Sequence, residues 1–249
     1  MGHFDSHCHL DDPRFAEDLP AVAARAAAAG VTSALVPGVD PRDLSRPLPD
    51  VPDMTLYRAG GLHPAIPHVP EALALLEAAL SRGELVAIGE CGLDKRYRTP
   101  DDLERFVAQL ELAVTHDLPV VLHVVHAHEE VFAALKSRPV RGIVHAFAGP
   151  WPLAKRYLDL GIVLGIGGIG TWPTAKRLHE TIRECPADGF VLETDAPDLS
   201  PSWIRGERNE PAQLIGIADA VASLRGTSAE AVLAASDAVG ARLFRLPVG

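Results

Sequence analysis

The chain has 249 residues, of which 47% are hydrophobic and 22% charged, a composition typical of a globular protein rather than a disordered, collagen-like or coiled-coil one. The 23 basic and 33 acidic side chains give a net charge of −10, which argues against a broad basic face for nucleic acid but not against contacts with a few phosphates. The chain has only three cysteines, no apolar leader at its start and no uncharged run long enough to span a bilayer. We therefore expect a soluble, cytoplasmic protein.

Short apolar runs alternate with helical patterns from end to end. The runs that predict strands are 3–9, 31–37, 55–62, 85–90, 119–125, 142–147, 162–167 and 189–195. The patterns that predict helices are 14–29, 70–82, 101–116, 127–137, 151–159, 173–184, 211–225 and 228–244. Several strands are nearly continuous in Val, Ile and Leu, as expected for parallel strands covered on both faces. The region 40–53 is too rich in proline for a good helix, so the second connection is the weak one.

Eight strand–helix units in a chain of this length predict an α/β fold of the TIM-type (β/α)8 barrel class, with 1–249 as a single domain. The alternative is a doubly wound open sheet. The glycine-rich stretch 165–170 ends the seventh strand and does not follow the first. We therefore interpret it as close backbone packing at the barrel rim rather than as a dinucleotide-binding loop.

Almost every predicted strand ends in, or runs into, an imidazole or a carboxylate, and in a parallel barrel the active groups lie at these C-terminal ends. Each group alone has a structural explanation, such as a hydrogen-bonded core histidine or a salt bridge from Glu90 to Arg96 or Arg98. Together they predict ligands for two divalent ions, Zn²⁺, Mn²⁺ or Mg²⁺, with a carboxylate available as a bridge and hydrolysis as the reaction class. The candidate ligands are His7, His9, Glu90, His123, His145 and Asp195, and His63 and Glu193 lie at the same rim.

Seven stretches, in chain order, resemble the successive motifs of the TatD-type metal-dependent deoxyribonucleases. They are FDSHCHL (4–10), GLHP (61–64), GECGLD (89–94), LH (122–123), VHAFAG (144–149), ETDAP (193–197) and RNEP (208–211). The match covers essentially the whole chain, and HCH, GECGLD and ETDAP are its most specific parts. The ETDAPD version and the chain after it are similar to a bacterial branch of TatD-like hydrolases more than to the founding nuclease.

This resemblance implies a TIM-like barrel with a two-metal site. One ion would be held by His7, His9, Glu90 and Asp195, and the other by Glu90 as a bridge together with His123 and His145. His63 would bind the scissile phosphate or assist the leaving group. Asn209 and its neighbour Arg208 would shape the substrate side, and Asp195 would accept or relay a proton from the attacking water.

The fifth-strand motif departs from the family pattern. Where the family usually has His-x-Arg, this chain reads His123-Val124-Val125, so one phosphate contact or supporting charge is missing. His126 and His128 follow at once and could replace it in part, or could simply face solvent.

Basic and aromatic side chains near the predicted rim have two interpretations. They are Lys95, Arg96, Arg98, Arg205 and Arg208, with Trp172 and Trp203. The basic groups could contact a DNA backbone or neutralise nearby carboxylates, and the indoles could stack on bases or pack the loops.

The chain is therefore expected to be a monomeric metal-dependent hydrolase of phosphodiester bonds, with DNA as the favoured substrate. One alternative is hydrolysis of a small ester, lactone, amide or phosphoester, as in the wider amidohydrolase barrels. Those often use a modified lysine as the bridge, and Glu90 at the end of the fourth strand favours the TatD-like interpretation. A non-catalytic metal-binding or adaptor barrel is the third alternative, and the complete ligand set argues against it.

Overall fold

Eight parallel strands form one sheet in which every strand pairs with the next along the chain, in a computed structural model that describes residues 2–67 and 69–246. Backbone hydrogen bonds from Ser6 N to Leu192 O (3.1 Å) and from Asp195 N to His7 O (2.8 Å) join the last strand to the first and close the barrel. The predicted TIM-type barrel is confirmed, and the open-sheet alternative is wrong because the sequential strand order has no switch point. The strands are β1 His3–Asp5, β2 Val31–Val36, β3 Thr55–Gly60, β4 Ala87–Asp94, β5 Val120–Val125, β6 Gly142–Val144, β7 Ile162–Ile166 and β8 Phe190–Leu192.

Eight α-helices, counted over the described ranges, surround the strands. They are α1 Leu19–Ala28, α2 Ala72–Ser81, α3 Asp102–Thr115, α4 His128–Ser137, α5 Trp151–Leu158, α6 Lys176–Glu184, α7 Leu214–Arg225 and α8 Ala229–Phe244. The connection between β2 and β3 has only the 3₁₀ turn Pro41–Ser45, as the prolines of 40–53 predict. None of the helices in these ranges has the length and apolar character that crossing a membrane requires.

Three strands are shorter than predicted because the backbone turns at the mouth of the barrel. β1 ends at Asp5, β6 at Val144 and β8 at Leu192, three or four residues before the predicted ends. Beyond two of these ends, Ala146 and Asp195 have φ angles of 47° and 56°, which few residues other than glycine adopt. The turns release the following side chains from the strict alternation of a strand.

Of the helices that begin later than predicted, two follow a 3₁₀ turn that starts at a proline. α1 begins at Leu19 after the turn that starts at Pro13, and α7 begins at Leu214 after the turn that starts at Pro211. The fixed φ of proline suits the start of a helical turn, so the sequence pattern extends through both segments without distinguishing them.

The apolar core has two parts. The outer faces of the strands pack against the helices in one large cluster, and a smaller cluster fills the barrel interior beside α8. The rings of Phe4 and Phe244 meet edge to face with centroids 5.9 Å apart, and a Cβ at Gly240 would lie 2.7 Å from the Phe4 ring. Helix α8 therefore closes one end of the barrel with apolar side chains, and the C-terminal ends of the strands are left for polar groups. The smaller cluster comprises Phe4, Leu35, Ala59, Ala87, Val121, Ile143, Val191, Val239, Leu243 and Phe244.

The glycine-rich stretch after β7 packs tightly against neighbouring groups. A Cβ at Gly165 would lie 2.2 Å from Oε2 of Glu193, and one at Gly168 would lie 2.1 Å from the carbonyl oxygen of Leu199. These glycines allow the rim to approach β8 and its loop, as the sequence analysis predicts for them.

Replacement of Phe244 by alanine should lower the free energy of unfolding by about 3–5 kcal/mol, because it leaves a cavity between α8 and the barrel interior. Urea unfolding followed by circular dichroism measures the change. The matched control is Leu103→Ala on the exposed side of α3, which should stay within about 0.5 kcal/mol of the wild type. Equal effects of the two substitutions would contradict the role of α8 as the closing element.

Candidate metal centre

Imidazoles and carboxylates from six parts of the barrel meet at its C-terminal mouth. Glu90 lies in β4 and His123 in β5, while the other groups follow strands directly: His7 and His9 follow β1, His63 follows β3, His145 follows β6 and Asp195 follows β8. The ligand atoms of these residues fall into overlapping sets of three in which all atoms lie within 4.8 Å of one another. The structure thus brings the six predicted ligands and His63 together in one cluster.

The sequence predicts that His7-Cys8-His9 lies on the first strand. In the structure this segment lies beyond the end of β1. Hydrogen bonds from Cys8 N to Leu35 O (3.0 Å) and from His9 N to Ala196 O (2.8 Å) hold it between β2 and the loop after β8. Cys8 is fully buried, and the two imidazoles converge with their Nε2 atoms 3.3 Å apart. The convergence predicted from the alternation therefore arises from an irregular segment.

The first ligand set has the spacing of donors around a small cation. The Nε2 atom of His7 lies 3.4 Å from both Asp195 Oδ1 and Glu90 Oε2, and Nε2 of His9 lies 3.5 Å and 3.7 Å from the same two oxygens. Ligands about 2.1 Å from a tetrahedral ion lie about 3.4 Å from each other. Four donors with lone pairs turned toward one point repel each other unless a cation lies between them, so these residues fit a divalent metal.

The second ligand set surrounds the other oxygen of the same carboxylate. Glu90 Oε1 lies 2.8 Å from His123 Nδ1, 2.8 Å from His145 Nε2 and 3.3 Å from His63 Nε2. These are mostly hydrogen-bond distances, shorter than the separations in the first set. Glu90 therefore directs one oxygen to each set, which is the arrangement of a bridging ligand.

Hydrogen bonds behind two of the imidazoles show which ring nitrogen each one presents to the cluster. His123 Nε2 lies 3.0 Å from Asp94 Oδ2 and donates to it, so Nδ1 is the atom that His123 can offer to a metal ion. His63 is the reverse case: the backbone N–H of Ala65 donates to its Nδ1 (3.0 Å), so its proton is on Nε2, facing Glu90. His123 is thus suited to bind a metal and His63 to donate a hydrogen bond. The sequence analysis missed Asp94, although it ends the GECGLD motif.

The ionisation of the cluster follows from mutual neutralisation. Burial alone would raise the pKa of Glu90, but the imidazoles of His145, His123 and His63 outweigh it and hold that pKa well below the usual range. Burial would lower the pKa of His9, but Asp195 and Glu90 raise it to about 9. The carboxylates and imidazoles of the cluster therefore balance each other's charge.

His7 is the exception among the imidazoles. Its complete burial and the neighbouring His145 lower its pKa to about 4. It is therefore neutral at physiological pH, which is the form that binds a metal.

A hydrogen-bond network beneath the ligands fixes their backbone. The buried carboxylate of Asp5 accepts from the backbone N–H groups of His7 (3.2 Å) and Thr194 (3.0 Å) and from the Thr194 hydroxyl. Burial is the main reason that its pKa rises to about 7. Asp5 precedes His7 by two residues in the FDSHCH motif, and this spacing is the signal by which sequence reasoning could have identified it.

Asn209 is fully buried and has no surface open to a substrate. Its amide donates to the carbonyl oxygens of Thr194 (2.8 Å) and Asp198 (2.9 Å), on either side of Asp195. In this structure the side chain holds the loop that carries Asp195, in place of the substrate contact expected for it.

The basic residues considered for substrate binding are mostly occupied. Arg96 pairs with Asp94 (2.5 Å) and Arg208 with Asp18 (2.6 Å). Arg98 pairs with Asp102 (2.8 Å), and Lys95 lies 3.7 Å from Glu130. Only Arg205 of the five has no carboxylate within 4 Å among the residues described.

The barrel with its histidine–carboxylate cluster defines a metal-dependent hydrolase. The family model described as "TatD related DNase" matches residues 4–245. The chain is 35% identical over 253 residues to the uncharacterized metal-dependent hydrolase YjjV of Escherichia coli K12, covering 98% of each chain. It is 36% identical over 266 residues to the 3′-5′ ssDNA/RNA exonuclease TatD of Erwinia billingiae, covering 98% of this chain and 99% of the relative. The crystal structure of E. coli YjjV superposes with a TM-score of 0.89 at 33% identity over 98% of each chain. The chain belongs to the TatD-related DNase family.

Metal binding should release protons and weaken as the pH falls. Below about pH 9 the His9 imidazole of the metal-free chain carries a proton that an ion must displace, and the pKa of His123 is also raised by Glu90 and Asp94 despite burial. The apparent affinity for Zn²⁺ or Mn²⁺ should therefore increase from pH 6 to pH 9, with release of about one or two protons per chain at pH 7.

Isothermal titration in buffers of different ionisation enthalpy counts these protons. The variant His9→Ala should release fewer protons than the control His116→Ala, which removes an imidazole outside the cluster. An affinity that does not vary between pH 6 and pH 9, with no proton release, would contradict the assignment of the histidines as ligands.

Proposed function

We propose that the cluster binds two divalent ions and hydrolyses phosphodiester bonds of single-stranded nucleic acid. The observation that carries this proposal is that the two carboxylate oxygens of Glu90 face different imidazoles. Oε2 faces His7 and His9, and Oε1 faces His123 and His145. A carboxylate shared between two sets of nitrogen ligands is what a dinuclear hydrolase needs to hold two cations close together. The protein named 3′-5′ ssDNA/RNA exonuclease TatD, similar over nearly the full length of both chains, supports nucleic acid as the substrate.

Nitrogen and carboxylate donors favour Zn²⁺ or Mn²⁺ over Mg²⁺, which prefers an all-oxygen shell. When bound, two such ions lower the pKa of a water molecule and stabilise the charge that develops on a phosphoryl group. His7, His9, Glu90 and Asp195 would hold the first ion, and Glu90, His123 and His145 the second.

Asp195 is the group suited to accept the proton of the attacking water. Burial would raise its pKa, but hydrogen bonding to His9 and the other imidazoles around it lower it, so the side chain stays a carboxylate at neutral pH. It retains 8% exposure at the mouth of the barrel, more than His7 or Glu90 of the same set. Asn209 fixes the loop that carries Asp195, and this keeps Asp195 Oδ1 3.5 Å from Nε2 of His9.

His63 is the group suited to stabilise the leaving oxygen. Its Nδ1 accepts from the Ala65 N–H, so its Nε2–H is the available donor, and its side chain is 14% exposed at the edge of the cluster. The donor faces Glu90 in this structure, at 3.3 Å from Oε1. Since Nε2 carries the proton, His63 is not assigned as a metal ligand despite its closeness to Glu90 and His123.

The remaining expectations fit this proposal. The enzyme is proposed to be a monomer in which the single barrel of 1–249 carries the activity. Cys8, Cys91 and Cys185 are free and buried, which suits the reducing conditions of the cytoplasm.

Substitution of Glu90 by glutamine should abolish the dinuclear site while the fold is retained. The change preserves volume but removes the charge that offsets two neighbouring cations, so at least one metal per chain should be lost. Hydrolysis should fall by more than the 10- to 100-fold range typical of losing an outer-shell partner.

Metal content by elemental analysis and hydrolysis rates test this substitution, with circular dichroism to check the fold. The control is Glu104→Gln on α3, outside the cluster, which should leave both quantities unchanged. Two metals per chain and normal activity in Glu90→Gln would refute the bridging role.

The substrate class is tested by comparing single-stranded DNA, single-stranded RNA, bis(p-nitrophenyl) phosphate and a small carboxylic ester or lactone. The metal-loaded chain should cleave the nucleic acids with the highest kcat/KM, and end-labelled products will report the direction of cleavage. The occupied Arg96 and Arg208 and the valine at position 125 favour the small-molecule alternative. Turnover of the ester or lactone without cleavage of either nucleic acid would establish that alternative instead.

A further inference from the structure

The loop after β8 and the first turn of α6, which follows the loop after β7, carry cationic side chains without acidic partners among the described residues. Arg205, Lys176 and Arg177 have no carboxylate within 4 Å among the described residues, in a chain whose net charge is −10. The other rim cations considered above are each paired with aspartate or glutamate. The start of α6 and the loop after β8, with Trp172 and Trp203, are called the cationic sector below. Among the rim cations considered, those of this sector are the ones left without a carboxylate partner in the part of the chain that the structure describes.

Arg205 is held in place by an aromatic ring. Its guanidinium carbon lies 4.7 Å from the centroid of the Trp172 ring, a cation–π distance, and the indole N–H of Trp172 donates to Ser200 O (3.0 Å). A second bond, from Ser202 N to the Thr171 hydroxyl (2.8 Å), also ties the two loops together. The arginine is thus positioned by a built support and not merely extended into solvent.

A second indole beside this pair is open to solvent. Trp203 is 49% exposed, and its Nε1 donates to Gln213 Oε1 (2.7 Å). A Cβ at Gly216 would lie 2.6 Å from Cζ2 of this ring, so the indole packs directly on the backbone of α7. An indole ring that packs on a helix and is also half exposed to solvent is suited to stack on a nucleobase.

The cationic sector is joined to the metal centre by the chain that follows Asp195. Ser200, to which Trp172 is bonded, follows Asp195 by five residues, a length of chain that spans at most about 18 Å. That upper limit corresponds to a few nucleotides of an extended strand. Phosphate-binding charge and a stacking surface on the loop that carries Asp195 match the chemistry of a single-stranded nucleic acid leaving the cleavage site.

We propose that Arg205, Lys176 and Arg177 bind the backbone phosphates of a single DNA strand, and that Trp203 stacks on one of its bases. This rests on the proposed nuclease function and specifies where its substrate lies. It also explains how a chain without the arginine expected at Val125 can hold a phosphodiester: the cationic contact comes from the start of α6 and the loop after β8 instead of from β5.

The test compares hydrolysis of 5′-fluorescein-labelled (dT)12 with that of bis(p-nitrophenyl) phosphate by the metal-loaded full chain. Trp203→Ala should raise KM for (dT)12 about tenfold or more, and Trp203→Phe should restore much of the loss. Arg205→Ala should raise KM as well, and the slope of log KM against log salt concentration should fall by about 0.7. In both alanine variants, the ratio of oligonucleotide to small-diester hydrolysis should fall.

Arg183→Ala is the matched control, since it removes the same charge from an exposed position near the far end of α6. If the wild type cleaves (dT)12 and Arg205→Ala, Trp203→Ala and Arg183→Ala all cleave it with the same efficiency and salt dependence, this proposal is overturned. The nuclease function would then remain intact. Wild-type turnover of bis(p-nitrophenyl) phosphate without any cleavage of (dT)12 would overturn both.

Discussion

The burial of a negative charge on β4 constrains the whole mouth of this barrel. Glu90 and Glu193 are both enclosed carboxylates, but burial raises the pKa of Glu193 well above its usual range, while imidazoles hold that of Glu90 far below. The difference lies in the neighbours: Glu193 accepts one backbone hydrogen bond, from Ala146, and Glu90 faces imidazoles on both of its oxygens. A buried, ionised Glu90 is stable only while protons or metal ions balance its charge. The imidazoles around Glu90, and the groups that hydrogen-bond to those imidazoles, therefore serve to balance this one carboxylate.

The groups that stabilise the fold and the groups suited to catalysis lie at opposite ends of the barrel axis. Phe4 and the side chains of α8 fill one end with apolar groups, and the polar cluster occupies the other. Between them the buried Asp5 joins the first strand to the segment after the last one through Thr194. Closure of the barrel and placement of His7 and Asp195 therefore depend on the same hydrogen bonds, which couples the stability of the fold to the geometry of the site.

The sequence predicts the class of fold and the ligand types because both depend on local patterns. The strand count comes from apolar runs, and imidazoles or carboxylates directly after such runs predict a site at the rim. The partner of His123 could not be predicted in this way, because Asp94 reaches it only through the pairing of β4 with β5 after a register shift. The pairing of Arg96 and the freedom of Arg205 likewise depend on which loops meet in three dimensions. β1, β6 and β8 end before their predicted ends because the backbone turns at the mouth of the barrel, which the residue pattern does not show.

The central claim is that one carboxylate, Glu90, bridges two metal ions. Anomalous diffraction from crystals equilibrated with Mn²⁺ or Zn²⁺ tests it most directly, because the signal locates each ion independently of activity. The account predicts two anomalous peaks about 3.5–4 Å apart, one against Glu90 Oε2 with His7 and His9 and the other against Oε1 with His123 and His145. A single peak, or two peaks that do not share Glu90, would contradict it.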